Sequence, residues 1–375
     1  MKKIYQIGLD ARPLSTGITG VGRMIAELLR NFPQANKYQF HLFSHKEIHP
    51  QHESLLEHRN IHWHSGQGML AKKGALYFNL YLPLHIRQYQ LDLFWGSQQV
   101  IPPFLPPTLP VVLTYYDFVL YLFPSTMRKI AALQQKMFQS LSIKNAVHIS
   151  CISSQTRDDL VKLFHYPLEH TSVIYPGIQP KSIVELLRKN PGEKIKNLPA
   201  KYFLSVSTME PRKNYPFLLQ AYAAYRKIAG KNKIPWIIAG KKGWETEAFY
   251  KQLDLEMQHQ DIILVESPSD SDLHHLYKNA TVFLFASVYE GFGIPLLEAL
   301  YHHRKSIVSD IPTFREIGED QILYLPVSDA QHWAEAMLAE QKSRKRPVIS
   351  LDKFLWDYSS QLLEKIFSSI LAKNP

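Results

Sequence analysis

Short apolar runs rich in Val, Ile, Leu and aromatic residues recur along the chain, and amphipathic stretches of helical length separate many of them. The runs have the length of strands that are buried on both faces. Alternation of this kind predicts βαβ units and a parallel, doubly wound sheet. The strands we expect are 3–10, 38–43, 60–64, 91–95, 111–115 and 147–151, followed by 202–207, 236–240, 262–265, 281–285, 306–308 and 322–325.

The two series of strands are separated near Pro176 and Gly177, and a polar segment follows at 189–194. A chain of 375 residues is long enough for two domains, each with its own core. The sequence therefore predicts an α/β protein with one domain over 1–176 and a second over 177–353.

The formal charge of +10 favours an anionic partner, which is a phosphate-bearing substrate, acidic lipid headgroups or nucleic acid. Nucleic acid is the weakest of these, because the chain has no zinc-finger spacing, basic-region heptad or RNP-like aromatic motif. The single cysteine, Cys151, excludes an intrachain disulfide, and we expect it to be buried and inert. The 17 histidines show no HExxH arrangement, so we expect no structural metal. No apolar run has the length of a membrane span, and Met1 leads straight into a strand, so we expect a cytoplasmic protein.

The stretch 287–300 carries the most specific pattern in the chain. Gly291 and Gly293 lie between an apolar strand and a helix that opens with proline. In a strand-to-helix turn, backbone N–H groups approach a ligand closely, and the start of the helix adds a partial positive charge suited to phosphate. Glu290 and Glu298 bracket this turn. The alternative is an ordinary βα corner in which Glu298 is a solvated helix residue.

The letters YEGFGIPLLEAL in this stretch resemble the E-x7-E signature of retaining glycosyltransferases with the GT-B fold, in particular glycosyltransferase family 4. The resemblance extends over most of the chain. It implies two Rossmann-like domains facing a cleft, and transfer of a sugar from a nucleotide diphosphate sugar with retained anomeric configuration. It also implies that Glu290 faces the sugar and Glu298 the ribose hydroxyls. The other donor contacts that it implies here are Gly291, Phe292, Gly293 and Ile294.

A second segment, TMEPRKN at 208–214, is similar to a Pro-Arg-Lys-Asn motif of the same family. A diphosphate leaving group carries about two negative charges, and Arg212 and Lys213 can hold it with a bidentate fork and a point charge. The alternative is an exposed Arg-Lys pair. Family 4 enzymes need no metal for this step, and the leaving phosphate helps to deprotonate the acceptor, so that no protein nucleophile is required.

The glycine-rich segment 17–23 follows the first expected strand and precedes a helix that we expect from Met24. It lacks the G-x-G-x-x-G order of a dinucleotide-binding loop and an acidic residue at the end of the next strand. A similar loop in family 4 contacts the donor phosphates or the acceptor, which places Gly20 and Gly22 at the donor. A plain tight turn is the alternative.

Tyr116 and Asp117 follow an expected strand at the place where many family 4 enzymes carry a His-Asp pair. Tyr116 stands where the histidine is usual, and Asp117 is kept. We expect both residues to orient substrates, with the phenol neutral because its ordinary pKa is near 10. The segment 354–357 resembles the family motif from which a final helix, 354–375, crosses back to the first domain.

The segment 68–89 combines Lys72, Lys73 and Arg87 with many apolar and aromatic residues, a composition suited to a membrane interface. A core-facing helix with solvated lysines is the alternative. Together with a helix expected at 127–143, this segment predicts peripheral association with the inner face of an anionic plasma membrane. A lipid-linked or surface-glycan acceptor, as in lipopolysaccharide O-antigen synthesis, would explain the basic charge.

The resemblance thus predicts a hexosyltransferase that uses a donor such as GDP-mannose or UDP-glucose, with no metal or other cofactor. Two other classes stay open. A nicotinamide-dependent dehydrogenase would use the glycine-rich segment 17–23, and a catalytically silent homologue would bind a nucleotide sugar without turning it over.

Overall fold

The computed structural model describes residues 3–17, 19–67, 73–123 and 129–373, without the side chains of 129–135. The chain divides into two compact units. One consists of Met1–Gly177 with Asp352–Pro375, and the other of Ile178–Leu351. Each unit is built on its own parallel sheet, as the alternating pattern predicts.

The strands of the first unit are β1 (Tyr5–Asp10), β2 (Tyr38–Ser44), β3 (Ile61–Ser65), β4 (Leu93–Gly96), β5 (Val111–Tyr115), β6 (His148–Cys151) and β7 (Thr171–Val173). They form one sheet in the order β3-β2-β1-β4-β5-β6-β7, and every pairing is parallel. From β1 the strands continue toward one edge of the sheet as β2 and β3, and from β4 toward the other edge, so the strand order reverses between β1 and β4. Ligands of doubly wound sheets bind beyond the carboxyl ends of the strands at such a switch point.

The strands of the second unit are β8 (Phe203–Val206), β9 (Trp236–Gly240), β10 (Ile262–Glu266), β11 (Val282–Phe285), β12 (Lys305–Ser309) and β13 (Leu323–Leu325). Their order is β10-β9-β8-β11-β12-β13, again with parallel pairing throughout. The switch point of this sheet lies between β8 and β11. Its core is dominated by large aromatic side chains from the strands and from the helices that flank them, including Phe203, Tyr222, Tyr225, Trp236 and Trp333.

The α-helices in chain order are α1 (Gly20–Arg30), α2 (Gly74–Leu76), α3 (Leu82–His85), α4 (Val119–Leu122), α5 (Lys129–Asn145), α6 (Ser154–Phe164), α7 (Pro180–Arg188), α8 (Tyr215–Ala229), α9 (Glu247–Gln258), α10 (Asp270–Asn279), α11 (Ile294–Tyr301), α12 (Pro312–Gly318), α13 (Ala330–Lys342) and α14 (Trp356–Lys373). Short turns connect several of them. A π-helical turn spans Tyr77–Tyr81, and 3-10 turns span Ile86–Tyr89 and Pro211–Lys213. No helix within the described ranges combines the length and the hydropathy that crossing a membrane requires.

The C-terminal helix α14 packs within the first unit through buried polar contacts as well as apolar ones. Tyr38 donates a hydrogen bond of 2.7 Å to Glu364, and Ser360 donates one of 3.1 Å to the carbonyl of Leu28. Gly177 lies against the start of α14, and a Cβ atom at this position would lie 2.8 Å from the backbone nitrogen of Trp356. Glycine is therefore required at this close approach of two backbones.

The segment 68–89 is only partly described, because residues 68–72 lie outside the described ranges, as do residues 127 and 128 of the expected 127–143 helix. Within the described part, Tyr77, Phe78 and Leu82 are buried in the core of the first unit. Leu80 and Leu84 point outward, with exposed fractions of 58% and 66%. Tyr77, Phe78 and Leu82 therefore face the core, as the alternative predicts, and cannot belong to a membrane-facing surface. Cys151 is buried, as predicted.

Candidate active site

Two loops meet beyond the carboxyl ends of β8 and β11, at the switch point of the second sheet. One leads from β8 through the 3-10 turn Pro211–Lys213 into α8, and the other leads from β11 into α11. The backbone N–H of Val288 donates a hydrogen bond of 3.0 Å to the carbonyl of Arg212, which joins the loops. The two segments that carry the sequence motifs are therefore held side by side.

The carboxylate of Glu290 gathers hydrogen bonds from both loops. Its Oε1 accepts from Lys213 Nζ at 2.5 Å and from Ser287 Oγ at 2.6 Å, and its Oε2 accepts from Arg212 Nη1. Arg212 also donates from Nη1 to the carbonyl of Tyr289 at 3.1 Å and from Nη2 to Glu210 Oε2 at 3.3 Å. The predicted residues Arg212, Lys213 and Glu290 thus form one ionic cluster, which we call the Glu290 cluster. Glu290 is not the last residue of β11 but follows it after four intervening residues.

The Glu290 cluster is largely withdrawn from water. The side chains of Glu290, Lys213 and Arg212 are 7%, 11% and 17% exposed. Burial alone would raise the pKa of Glu290, but the charges of Arg212 and Lys213 and the hydrogen bonds it accepts outweigh burial and lower this pKa to about 2. Burial lowers the pKa of Lys213, the charge of Glu290 opposes that shift, and Arg212 adds to it. Glu290 is therefore ionised at neutral pH and favours the charged form of Lys213.

The turn between Glu290 and α11 is fixed by its neighbours in the second unit. Thr313 Oγ1 donates a hydrogen bond of 2.9 Å to the carbonyl of Glu290. Gly293 has φ of 121°, and a Cβ atom there would lie 2.9 Å from the Phe314 ring, so only glycine fits. The backbone N–H groups of Gly293 and Ile294, at the start of α11, have no acceptor recorded among the described residues. Together with the helix dipole, they form a surface suited to an anion.

Glu298 is the fifth residue of α11 and is only 5% exposed. The alternative that it is a solvated helix residue is therefore wrong. The other predicted donor contacts, Gly291 and Phe292, lie in the same turn beside Glu290. Among the residues that the structure describes, no three His, Cys, Asp or Glu side chains are grouped so as to hold a metal ion.

A further segment of the second unit, at 240–243, pairs with the loop that follows β8. Met209 forms an isolated parallel bridge with Lys242, and its N–H donates a hydrogen bond of 3.0 Å to the carbonyl of Lys241. The letters GKKG occupy 240–243, where Gly240 ends β9 and the other three residues follow it. This glycine-flanked basic pair was not singled out in the sequence, although such a pair at the end of a strand is typical of a phosphate-binding loop.

The predicted residues Tyr116 and Asp117 lie on the first unit, beyond the carboxyl end of β5. Tyr116 donates a hydrogen bond of 2.8 Å to the carbonyl of Ser97, and burial raises the pKa of its phenol. Asp117 Oδ1 accepts from the N–H of Val119 at 3.2 Å, which caps the turn into α4. The phenol is neutral at pH 7, and Asp117 has a local structural role whatever else it does.

Asp10, Arg12 and Gln98 were missed in the sequence, although they lie at the switch point of the first sheet. Asp10 ends β1, is fully buried, and accepts from Arg12 Nε and Nη2 at 2.9 and 2.7 Å. Gln98 Nε2 donates to Asp10 Oδ2 at 2.6 Å. An aspartate that closes an apolar first strand, with arginine two positions later, was the available signal.

Gly20 and Gly22 do not lie in a loop. Both belong to the first turn of α1, because the side chain of Thr19 caps the helix and accepts a hydrogen bond of 3.0 Å from the N–H of Gly22. The expectation that the helix begins at Met24 is therefore wrong. The N–H of Gly22 already has a partner, so it is poorly placed to bind a donor phosphate.

Comparison with known proteins agrees with the site. Residues 18–182 match the model of Glycosyltransferase Family 4, and residues 188–348 match that of Glycosyl transferases group 1. The chain is 26% identical over 336 residues to O-antigen chain mannosyltransferase B of Escherichia coli, covering 84% of this chain and 85% of that one. It is 25% identical over 234 residues to O-antigen chain mannosyltransferase RfbU of Salmonella typhimurium, covering 61% and 62% of the two chains.

Among solved structures, Anabaena HepE in complex with UDP and glucose superposes with a TM-score of 0.61 at 16% identity, covering 99% of this chain and 98% of that one. This likeness shows that the two α/β units have the GT-B fold. The two family matches cover both units in succession and include the Glu290 cluster. The chain therefore carries a family 4 glycosyltransferase domain followed by a group 1 glycosyltransferase domain.

Proposed function

We propose that this glycosyltransferase is a retaining, metal-independent mannosyltransferase that uses a nucleoside diphosphate mannose such as GDP-mannose. Its acceptor is a growing surface glycan, lipid-linked as in O-antigen synthesis. The observation that carries the proposal is the Glu290 cluster at the switch point of the second sheet, beside the start of α11. Mannose is supported by two relatives, which are named as O-antigen chain mannosyltransferases.

The Glu290 cluster supplies a preorganised binding surface for the leaving diphosphate. As the glycosidic bond breaks, negative charge develops on the phosphate oxygen, and fixed cations in a water-poor site stabilise that charge. Arg212 and Lys213 are held in place by Glu290, so that little reorganisation is needed when the charge develops. The N–H groups at the start of α11 add to the same electrostatic field.

Glu210 is the partner that a diphosphate would most easily replace. Its contact with Arg212 Nη2 is 3.3 Å, whereas Lys213 and Ser287 approach Glu290 within 2.5 and 2.6 Å. A phosphate can accept from an arginine fork through two oxygens, whereas Glu210 contacts Arg212 through one oxygen. Donor binding would therefore exchange Glu210 for phosphate and leave Lys213 paired with Glu290.

The same geometry argues against Glu290 as a nucleophile. Its two oxygens accept hydrogen bonds from Lys213, Ser287 and Arg212, and its pKa is lowered to about 2, so its lone pairs are engaged and its basicity is low. A retaining reaction without a protein nucleophile leaves front-face attack, in which the departing phosphate takes the proton of the acceptor hydroxyl. Glu290 then acts by holding the cations and by facing the sugar.

Peripheral membrane association belongs to the same proposal, since a lipid-linked acceptor is delivered from a membrane. Leu80 lies within the turn Tyr77–Tyr81 and Leu84 just after it, and both are exposed. On α5, Met137 and Leu141 are 56% and 51% exposed. Both regions contribute buried residues to one core cluster of the first unit. Exposed leucine and methionine side chains flanked by Arg87 and Lys144 fit an anionic bilayer surface.

A donor panel tests the proposal. Purified protein is incubated with GDP-mannose, UDP-glucose and other nucleotide sugars in EDTA, with a lipid-extract acceptor, and release of the nucleotide diphosphate is followed. We expect release from GDP-mannose above all, and retained configuration of the product by NMR of its anomeric proton. UDP-glucose is the second candidate, because HepE was solved with UDP and glucose. A strict need for a divalent cation would refute metal independence. A product with inverted anomeric configuration would refute the retaining reaction.

A further inference from the structure

A second basic site lies on the unit formed by Ile178–Leu351, away from the Glu290 cluster. It is an open cavity of about 630 Å³ at the edge of the sheet where β8, β11 and β12 begin. The Glu290 cluster lies beyond the other ends of β8 and β11. The two ends of a four-residue strand are roughly 13 Å apart. The lining of the cavity contains no acidic residue, and its basic members are Lys201, Arg304, Lys305, Lys342, Arg344 and Arg346.

Two of these cations are half-buried and held by backbone carbonyls. Arg304 donates from Nε to the carbonyl of His302 at 2.6 Å and from Nη1 to that of Ala280 at 3.1 Å. Lys305 Nζ donates to the carbonyl of Ser343 at 2.7 Å and to that of Glu340. Carbonyl oxygens fix the direction of these side chains, but they are neutral and do not cancel the charge. No acceptor for Arg304 Nη2 is found among the described residues, so this group can bind a ligand.

The cavity carries an excess of positive charge. None of the six cations takes part in an ion pair recorded within the described part of the chain. Burial and then the charge of Arg346 lower the pKa of Arg304. Burial also lowers the pKa of Lys305, an effect that Glu340 opposes and that Arg346 and Arg304 increase. Like charges that crowd a cavity raise its free energy when it is empty, so a bound anion would relieve the repulsion.

We propose that this cavity binds an oligophosphate, meaning a ligand that carries at least two phosphate groups close together. A single carboxylate would neutralise only one of the six cations. One phosphate group carries only about −1.5 to −2 charges at pH 7, so a ligand with two or more phosphate groups matches the charge of the cavity better. Arg304 and Lys305 at the base would hold one phosphate, and the exposed Lys342, Arg344 and Arg346 at the rim would hold the next. The ligand is a soluble oligophosphate or the headgroup of a lipid with two phosphates.

Inorganic tripolyphosphate, titrated by calorimetry into the full chain, tests the proposal. The test variant is K342Q/R344Q/R346Q, because these three side chains are exposed and have no recorded hydrogen bond that folding needs. The matched control is K181Q/K227Q/K231Q, which removes the same charge from exposed positions of the same unit. We expect at least tenfold weaker binding in the test variant and less than twofold change in the control. Binding should also weaken steeply as salt rises.

The donor site must be distinguished from this cavity, because it also attracts phosphate. The variant R212A should keep the tripolyphosphate affinity of the cavity while the test variant loses it. Equal binding by wild type and the test variant, or equal losses in test variant and control, would overturn the proposal. So would binding that disappears only in R212A.

Vesicles distinguish the two sources of the ligand. Flotation compares phosphatidylcholine vesicles with and without cardiolipin, whose headgroup carries two phosphates, in the presence and absence of tripolyphosphate. If the source is a lipid, cardiolipin-dependent flotation falls in the test variant and is competed by tripolyphosphate. If the source is soluble, tripolyphosphate binds as predicted, while flotation is the same for the test variant and the control.

Discussion

Lys213 Nζ donates a hydrogen bond of 2.5 Å to Glu290 Oε1, and this contact joins two loops that lie 77 residues apart in the sequence. Both side chains are nearly buried. Removal of one partner from a buried ion pair leaves an uncompensated charge, which costs more than the pair itself contributes. The same contact therefore links the stability of the second unit to the arrangement of the donor site.

Replacement of Glu290 by glutamine should destabilise the protein in a pH-dependent way. The folded-state pKa of Glu290 is lowered from 4.5 to about 2, so its ionisation contributes stability above pH 4.5 that is lost as pH falls toward 2. At pH 7 we expect E290Q to lower the free energy of unfolding by about 3 kcal/mol. Urea unfolding at a series of pH values should show the wild-type and E290Q curves converging below pH 4.5.

The control for this comparison is E210Q. Glu210 also pairs with Arg212, but through one longer contact of 3.3 Å. We expect a loss below about 1 kcal/mol, as for a partly exposed pair. A constant difference between E290Q and wild type from pH 7 to pH 2 would contradict the assignment of the low pKa to Glu290.

Loss of either cation of the Glu290 cluster should slow transfer. We expect Arg212→Ala and Lys213→Ala each to lower the rate on the order of a hundredfold, as loss of a preorganised charge partner does. Arg212→Lys should recover only part of the loss, because it restores the charge but not the planar fork. Initial rates at saturating donor, with Lys181→Ala as the exposed control, measure the effect. Wild-type rates in both alanine variants would place the diphosphate site elsewhere.

Glu290 and Glu298 should affect different kinetic constants. A hydrogen bond from the ribose to Glu298 is made equally in ground and transition states, so Glu298→Ala should raise the KM for the donor and change kcat little. Glu290→Ala should mainly lower kcat, because it disturbs the groups that meet the developing charge. Isothermal titration with the nucleotide diphosphate separates binding from turnover. The reverse assignment of KM and kcat would show that the two carboxylates have exchanged roles.

The fold could be predicted where the sequence pattern is local. The strand Trp236–Gly240 is a continuous apolar run, and its bounds were predicted as they are observed. The start of α1 was missed because the glycines suggested a loop, whereas the cap at Thr19 decides the helix boundary. The short edge strand β7 was missed because Thr171 and Ser172 break the apolar pattern.

The residues of the candidate site could be predicted, but their pairing could not. The motifs identify Arg212, Lys213 and Glu290 one by one. Nothing in the sequence shows that the carboxylate of Glu290 forms ion pairs with both cations. That contact depends on where the loops after β8 and β11 meet in space. Asp10 and Arg12 were missed for the same reason, since their partner Gln98 comes from another strand end.

Membrane binding should depend on the exposed apolar residues of the first unit. We expect the double variant Leu84→Ser/Leu141→Ser to lose flotation with anionic liposomes, because it removes apolar surface that would enter the headgroup region. The control is Leu255→Ser, at a leucine that is 59% exposed on the second unit. Flotation of the wild type should weaken with salt. No flotation of wild type at low salt would favour a soluble acceptor.

Tyr116 should position substrates without acting as a base. Its hydroxyl donates to the carbonyl of Ser97, next to Gln98, which in turn holds Asp10, so the phenol supports the switch point of the first sheet. Burial raises its pKa further above neutrality, so it stays protonated wherever the enzyme works. Tyr116→Phe removes one hydrogen bond, worth about 1 kcal/mol, and keeps the ring. Tyr116→Ala removes both.

We therefore expect Tyr116→Phe to lower turnover modestly with an unchanged pH-rate profile, and Tyr116→Ala to lower turnover much further. The pH profile is the decisive readout, because loss of a general base would remove a titrating limb, whereas loss of a positioning group lowers the rate equally at every pH. Near-normal turnover in both variants would show that Tyr116 has no part in the reaction. A wild-type protein that binds the donor but neither transfers nor hydrolyses it would instead identify the chain as a catalytically silent member, in which tyrosine at this strand end only fills space.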